Sequence, residues 1–129
     1  MNFKEDVRKS FGIILSNEQL EQFAIYYQEL IEYNKHTNLT AITDEHEVYY
    51  KHFYDSLTLI PFIKNDNLSL CDMGSGAGFP SIPLKIVYPN LNITIIDSVN
   101  KKIKFLSSLI EKLNLSNIKL VNGRIEEFA

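Results

Sequence analysis

One cysteine, Cys71, leaves no partner for an intrachain disulfide, and its place in an apolar strand reads as a buried, inert thiol. No apolar run approaches the roughly 18 residues that span a bilayer. The start, Met1-Asn2-Phe3-Lys4-Glu5-Asp6, has no charged segment leading into an apolar one, so no export signal is expected. A cytoplasmic protein with no membrane partner fits. The three histidines, His36, His46 and His52, lack the spacing of metal ligands, and no metal is expected. Excess positive charge is missing too. The net charge is −3, which argues against nucleic-acid binding by bulk electrostatics and leaves a local basic patch open. Glycine and proline are sparse, at five and four residues, so the composition is globular rather than low-complexity. The length of 129 residues is about one domain's worth of chain.

Two periodicities divide what is present. Residues 1–64 read as a helical N-terminal subdomain, and residues 65–129 alternate strands with helices. Phe3, Val7, Phe11 and Ile14 recur at helical spacing, with Gly12 near the helix end. Ser16-Asn17-Glu18-Gln19 is a capping-box pattern, opening a helix over 17–35 with Leu20, Phe23, Ala24, Tyr27, Leu30 and Ile31 on its apolar stripe. Thr43 or Asp44 caps a third helix carrying Val48, His52 and Leu59 before Pro61, with room for a break inside. The second part reads as strand 68–72, helix 80–88, strand 92–97, helix 99–113 and strand 117–121. This βαβαβ order predicts parallel strands in spatial order 3-2-1. Such a sheet normally continues beyond its first strand. The fold class expected is therefore α/β, a helical subdomain followed by the first half of a doubly wound domain, with its first strand left as an edge.

The loop after the first strand carries the chemistry. A dinucleotide fold asks for Gly-x-Gly-x-x-Gly, but counting from Gly74 puts Phe79 in the third place. No Lys-Ser/Thr follows the last glycine, so a P-loop is excluded. The glycines fall instead at Gly74, Gly76 and Gly78, with Asp72 two residues before the first. That spacing resembles motif I of the class I methyltransferases, which bind S-adenosylmethionine. In such a site the glycines make room for the methionine and ribose parts, and an acidic strand end suits a cationic ammonium. Asp97 ends the second strand, where a carboxylate accepts hydrogen bonds from ribose hydroxyls. The bland alternative is a tight turn, with Asp97 capping the next helix through Lys101. The loop after the third strand would lie beside the adenine, Ile125 on its face and Glu126 at its polar edge; alternatively Glu126 and Glu127 are solvated.

Several blocks together narrow the resemblance. They are Tyr33-Asn34-Lys35-His36-Thr37-Asn38-Leu39-Thr40-Ala41-Ile42, His52-Phe53-Tyr54-Asp55-Ser56-Leu57, Asp72 through Leu84, Asp97-Ser98 with Lys101-Lys102, and Gly123 through Phe128. In order and spacing they resemble the RsmG (GidB) family, bacterial 16S ribosomal RNA guanine-N7 methyltransferases. The resemblance implies S-adenosylmethionine as cofactor and 16S rRNA in the small ribosomal subunit, or its precursor, as partner. It implies cofactor contacts from Gly74, Gly76, Gly78, Phe79, Ile125 and Glu126, with Asp97 at the ribose. Asn38 and His52 are the candidates for orienting the base; locally, they read equally as a turn and as a helix-face set with Asp55 and Ser56. Ser81 departs from the family's usual glycine. The family's domain also runs further, which makes this chain an incomplete fragment by resemblance. Guanine N7 bears a lone pair and no proton, so methyl transfer to it needs no general base, and the lack of a Ser-His-Asp set fits. Lys85, Lys101, Lys102, Lys104, Lys112, Lys119 and Arg124 are the basic residues available to RNA, or else form a solvated face. The rivals are a class I methyltransferase for another substrate and a non-catalytic remnant.

Overall fold

Helix boundaries follow from the capping chemistry written in the chain. In a computed structural model that describes residues 2–64, 67–74 and 76–123, α1 spans Phe3–Phe11 and α2 spans Asn17–Asn34. Asn2 accepts the Glu5 amide at 3.1 Å and opens α1. Gly12, at φ 69°, closes it in the left-handed conformation, its N–H on the Arg8 carbonyl. The predicted capping box forms at α2: Gln19 N–H donates to Ser16 Oγ at 3.1 Å and Ser16 N–H to Gln19 Oε1 at 2.8 Å. Asp44, not Thr43, caps the third helix through the Glu47 amide. That helix is composite. A turn α3, Glu45–Glu47, runs into a π-helical segment, Val48–Tyr54, and then a turn α4, Asp55–Leu57. Pro61 lies in the 3-10 turn Ile60–Phe62 that follows.

Strands β1 (Ser69–Met73), β2 (Asn92–Asp97) and β3 (Ile118–Asn122) form a parallel sheet in order β1-β2-β3, as the alternating pattern predicts. Leu70, Ile93 and Ile118 are partners across the sheet, as are Asp72, Ile95 and Leu120. Both crossovers step in the same direction, so right-handed connection puts α5 (Ser81–Val87) and α6 (Asn100–Lys112) on one face. Leu70, Ile93, Ile95, Ile118 and Leu120 point into the core there. The core runs on without a gap through Ile82, Leu84, Phe105 and Leu106 to Phe23, Tyr26 and Leu30 of α2, and then to Phe3, Val7 and Phe53.

Three expectations need correction. Cys71 is exposed, not buried. It shares a register row with Thr94 and Lys119, on the sheet face away from α5 and α6. Lys85 is buried, its ammonium donating to the Pro89 and Leu91 carbonyls, so it is not available to RNA. Burial pulls its pKa below the ordinary lysine value. The buried stripe of α2 is Phe23, Tyr26 and Leu30 rather than one through Tyr27. Tyr27 is only partly covered, its hydroxyl on the Thr43 carbonyl at 3.0 Å.

Candidate cofactor site

Parallel strands bring their carboxyl ends to one edge, and hydrogen bonds tie the loops after β1 and β3 to the end of β2 there. The Gly74 amide donates to the Ile96 carbonyl at 2.8 Å, and the Gly123 amide to the Asp97 carbonyl at 3.1 Å. The loop after β1 turns on three left-handed glycines: Gly74 at φ 75°, Gly76 at φ 64° and Gly78 at φ 99°. A side chain at Gly74 or Gly76 would meet no atom within 4 Å, so there the requirement is backbone conformation alone. Gly78 is confined as well. A Cβ there would lie 2.8 Å from both Ile82 Cγ1 and the Tyr26 hydroxyl oxygen.

The helical half grips this loop. Tyr26 is wholly buried and donates its hydroxyl to the Ala77 carbonyl at 2.6 Å. Burial, and the charge of Asp72, push its pKa well above the usual phenol, so it remains a donor. The Phe79 ring stacks on His52, with centroids 4.4 Å apart and planes within 10°, and on Tyr26 at 5.6 Å and 15°. His52 Nε2 lies 2.9 Å from Thr40 Oγ1. Burial lowers the His52 pKa, against the opposing pull of Asp55.

Two carboxylates flank the loop. Burial raises the Asp72 pKa and nearby Asp97 adds to this, while hydrogen bonds from the Ser81 hydroxyl and amide partly offset the rise. Asp97 is buried, and its Oδ1 accepts the Val99 amide at 2.8 Å, so the contact is a local turn and not one with Lys101. Among the described residues neither carboxylate is ion-paired. The strand ends therefore present uncompensated negative charge beside backbone that approaches closely, an arrangement that favours a cationic ligand. No group of metal-ligating side chains is found among the described residues.

The family description rRNA small subunit methyltransferase G matches residues 19–129. The chain belongs to that family. It is 54% identical to ribosomal RNA small subunit methyltransferase G of Ligilactobacillus salivarius strain UCC118, over 96% of this chain and 54% of the relative. It is 57% identical to the protein of that name from Oceanobacillus iheyensis, over 93% and 51% of the two chains. The corresponding protein of Staphylococcus epidermidis strain ATCC 12228 is 58% identical over 91% and 49%. The chain thus spans about half the length of these curated relatives.

Of the positions singled out by resemblance to the methyltransferase G family, Gly74, Gly76, Gly78, Phe79 and Asp97 come together at one edge of the sheet. Ile125 and Glu126 lie outside the described residues, as does Arg124. Asn38 is exposed, and the segment around it is held by Asn34, whose Oδ1 accepts the Leu39 and Thr40 amides at 2.9 and 3.0 Å. His52 faces Phe79 and Thr40 rather than making a side-chain set with Asp55 and Ser56; the Ser56 hydroxyl goes to the His52 backbone carbonyl. Sequence reasoning missed Tyr26. Its only signal was helical spacing from Phe23 and Leu30, which says nothing of a hydrogen bond 51 residues away.

Proposed function

We propose that the whole protein transfers a methyl group from S-adenosylmethionine to N7 of a guanine in 16S rRNA, and that this chain supplies the cofactor-receiving half. The observation that carries the reading is the pair Asp72 and Asp97, without ion-pair partners among the described residues, set beside the three-glycine turn. When bound, the cofactor supplies a methyl on a positively charged sulfonium. The residues fit such a group: two carboxylates favour its charge, and the loop backbone allows close approach. Asp97 would hold the ribose hydroxyls through the oxygen not given to Val99. Gly74, Gly76 and Gly78 set the loop, Phe79 borders it, and Ile125 with Glu126 would meet the adenine. The N7 lone pair attacks without a base, so the protein's contribution is to align the two reactants and stabilise charge. Asn38 and His52 are the candidates on the base side. Exposed Lys101 and Lys104, one turn apart on α6, are the described cations best placed for phosphate contact. Small ribosomal subunits or their precursors in the cytoplasm are the proposed partner, with residues 1–64 and 65–129 as two subdomains.

Calorimetric titration with S-adenosylmethionine tests the site. Saturable binding is expected, abolished by Gly74→Val and weakened more than about tenfold by Asp97→Asn, which removes a charge from hydrogen bonds of the charged class. Flat heats with the whole protein would overturn the cofactor reading. Transfer of labelled methyl to small subunits from cells lacking the modification tests the substrate, and no incorporation by the whole protein would overturn that.

A further inference from the structure

We infer that Tyr26, assisted by His52, is a positioning residue that holds the glycine loop in its ligand-receiving shape from the helical half of the chain. The inference rests on the cofactor reading above for what the loop receives, but not for the mechanical coupling itself. Three observations converge on it. The Tyr26 hydroxyl is the only described donor on the Ala77 carbonyl, which sits between two left-handed glycines. The same oxygen lies 2.8 Å from where a Gly78 Cβ would stand, so with Ile82 it bounds the space through which the loop passes. The Tyr26 ring and the His52 ring both stack on Phe79, the residue that leads out of the loop into α5.

A glycine-rich turn has little of its own to choose one conformation, since glycine reaches both signs of φ with similar ease. Gly74 and Gly76 meet no side-chain wall at all. The restraint has to come from outside, and a buried hydrogen bond plus a ring stack supply it. The far end of the linkage is informative. His52 bonds Thr40, and Thr40 stands in the segment 38–42 that Asn34 holds. The His52 ring that stacks on Phe79 is thus itself anchored to that segment through Thr40. Tyr26 touches neither reactant; it acts through Ala77 and Phe79.

Amide hydrogen exchange of the intact protein separates this from a merely structural role. The Gly74 and Ile82 amides close the two ends of the loop on Ile96 and Gly78, both at 2.8 Å. Tyr26→Phe keeps the ring and removes the hydroxyl. It should speed exchange at Gly74 and Ile82 by about tenfold, with amides of β2 and the middle of α6 unchanged, and weaken S-adenosylmethionine binding by about three- to tenfold. Tyr27→Phe, which loses a tyrosine–carbonyl bond one position along the same helix, should change neither. Unaltered loop exchange in Tyr26→Phe, or an equal rise throughout β2 and α6, overturns the proposal. His52→Gln is the second arm, because this residue is only partly buried and its loss spares the core. It should loosen Ile82, and protection identical to wild type there overturns the stack's part. Should the wild-type protein bind no S-adenosylmethionine, the cofactor reading falls, while the exchange comparison still decides whether Tyr26 holds the loop.

Discussion

Gly78 and Gly76 look alike in the chain and differ in what surrounds them. Gly78→Ala meets two atoms at 2.8 Å on top of an unfavourable φ, and should cost about 3 kcal/mol or more. Gly76→Ala has open space and only the φ penalty, about 1–2 kcal/mol. Urea denaturation of the two variants checks the order, and equal midpoints would contradict it. Histidine 52 makes a pH prediction at the same scale. Its folded pKa lies below the ordinary value of 6.5, because burial penalises the charged ring. Between those two values the unfolded chain binds more protons, so stability falls as pH drops below about 6.5 and levels out once the folded-state pKa is passed. Stability measured from pH 8 to pH 5 should decline less steeply in His52→Gln than in wild type. Ser81 acts in the other direction on Asp72, since its two hydrogen bonds favour the carboxylate. Ser81→Ala should raise the Asp72 pKa further, seen by carboxyl carbon NMR titration; a lower pKa in the variant would count against that role.

Among the elements, those with local signals were legible and those set by contact were not. Gly12, the Ser16–Gln19 box and Asp44 locate helix ends because a cap satisfies orphan amides within a few residues. Gln19 does more than cap. Its Nε2 donates to the Ile86 carbonyl at 3.0 Å, fastening the start of α2 to the end of α5. Gln19→Ala removes both, with an expected loss of about 1–2 kcal/mol by thermal unfolding; a value within error of wild type would show the tie to be idle. The π segment had no such signal beyond an anticipated break. Across this seven-residue π segment, Phe53 packs against Phe23 and Tyr26 while His52 reaches Phe79. The α2 stripe shows the same limit. Tyr26 and Tyr27 were indistinguishable by composition, and packing on α5 and α6 decided which was buried.

At the scale of the whole molecule, apolar surface remains exposed along β1. Leu59 is 40% exposed, Phe62 75%, Leu68 37% and Met73 44%, and they line a trough of about 290 Å³ with Leu70 and Pro80. Patches of this kind mark interfaces or drive association. The 129-residue chain by itself should self-associate as concentration rises, and Phe62→Ser should reduce this; light scattering that reports one compact monomer throughout would contradict it. The alternation of strands and helices, the 3-2-1 order and the glycine and carboxylate positions were all determined by the sequence, because period, spacing and right-handed connection are local or nearly so. Tertiary structure alone decided that Cys71 faces outward and that Tyr26 reaches Ala77. Each of these depends on which face of an element meets a neighbour far along the chain. That choice is made by burying area and pairing polar atoms across the fold, and no window of sequence contains both sides of it.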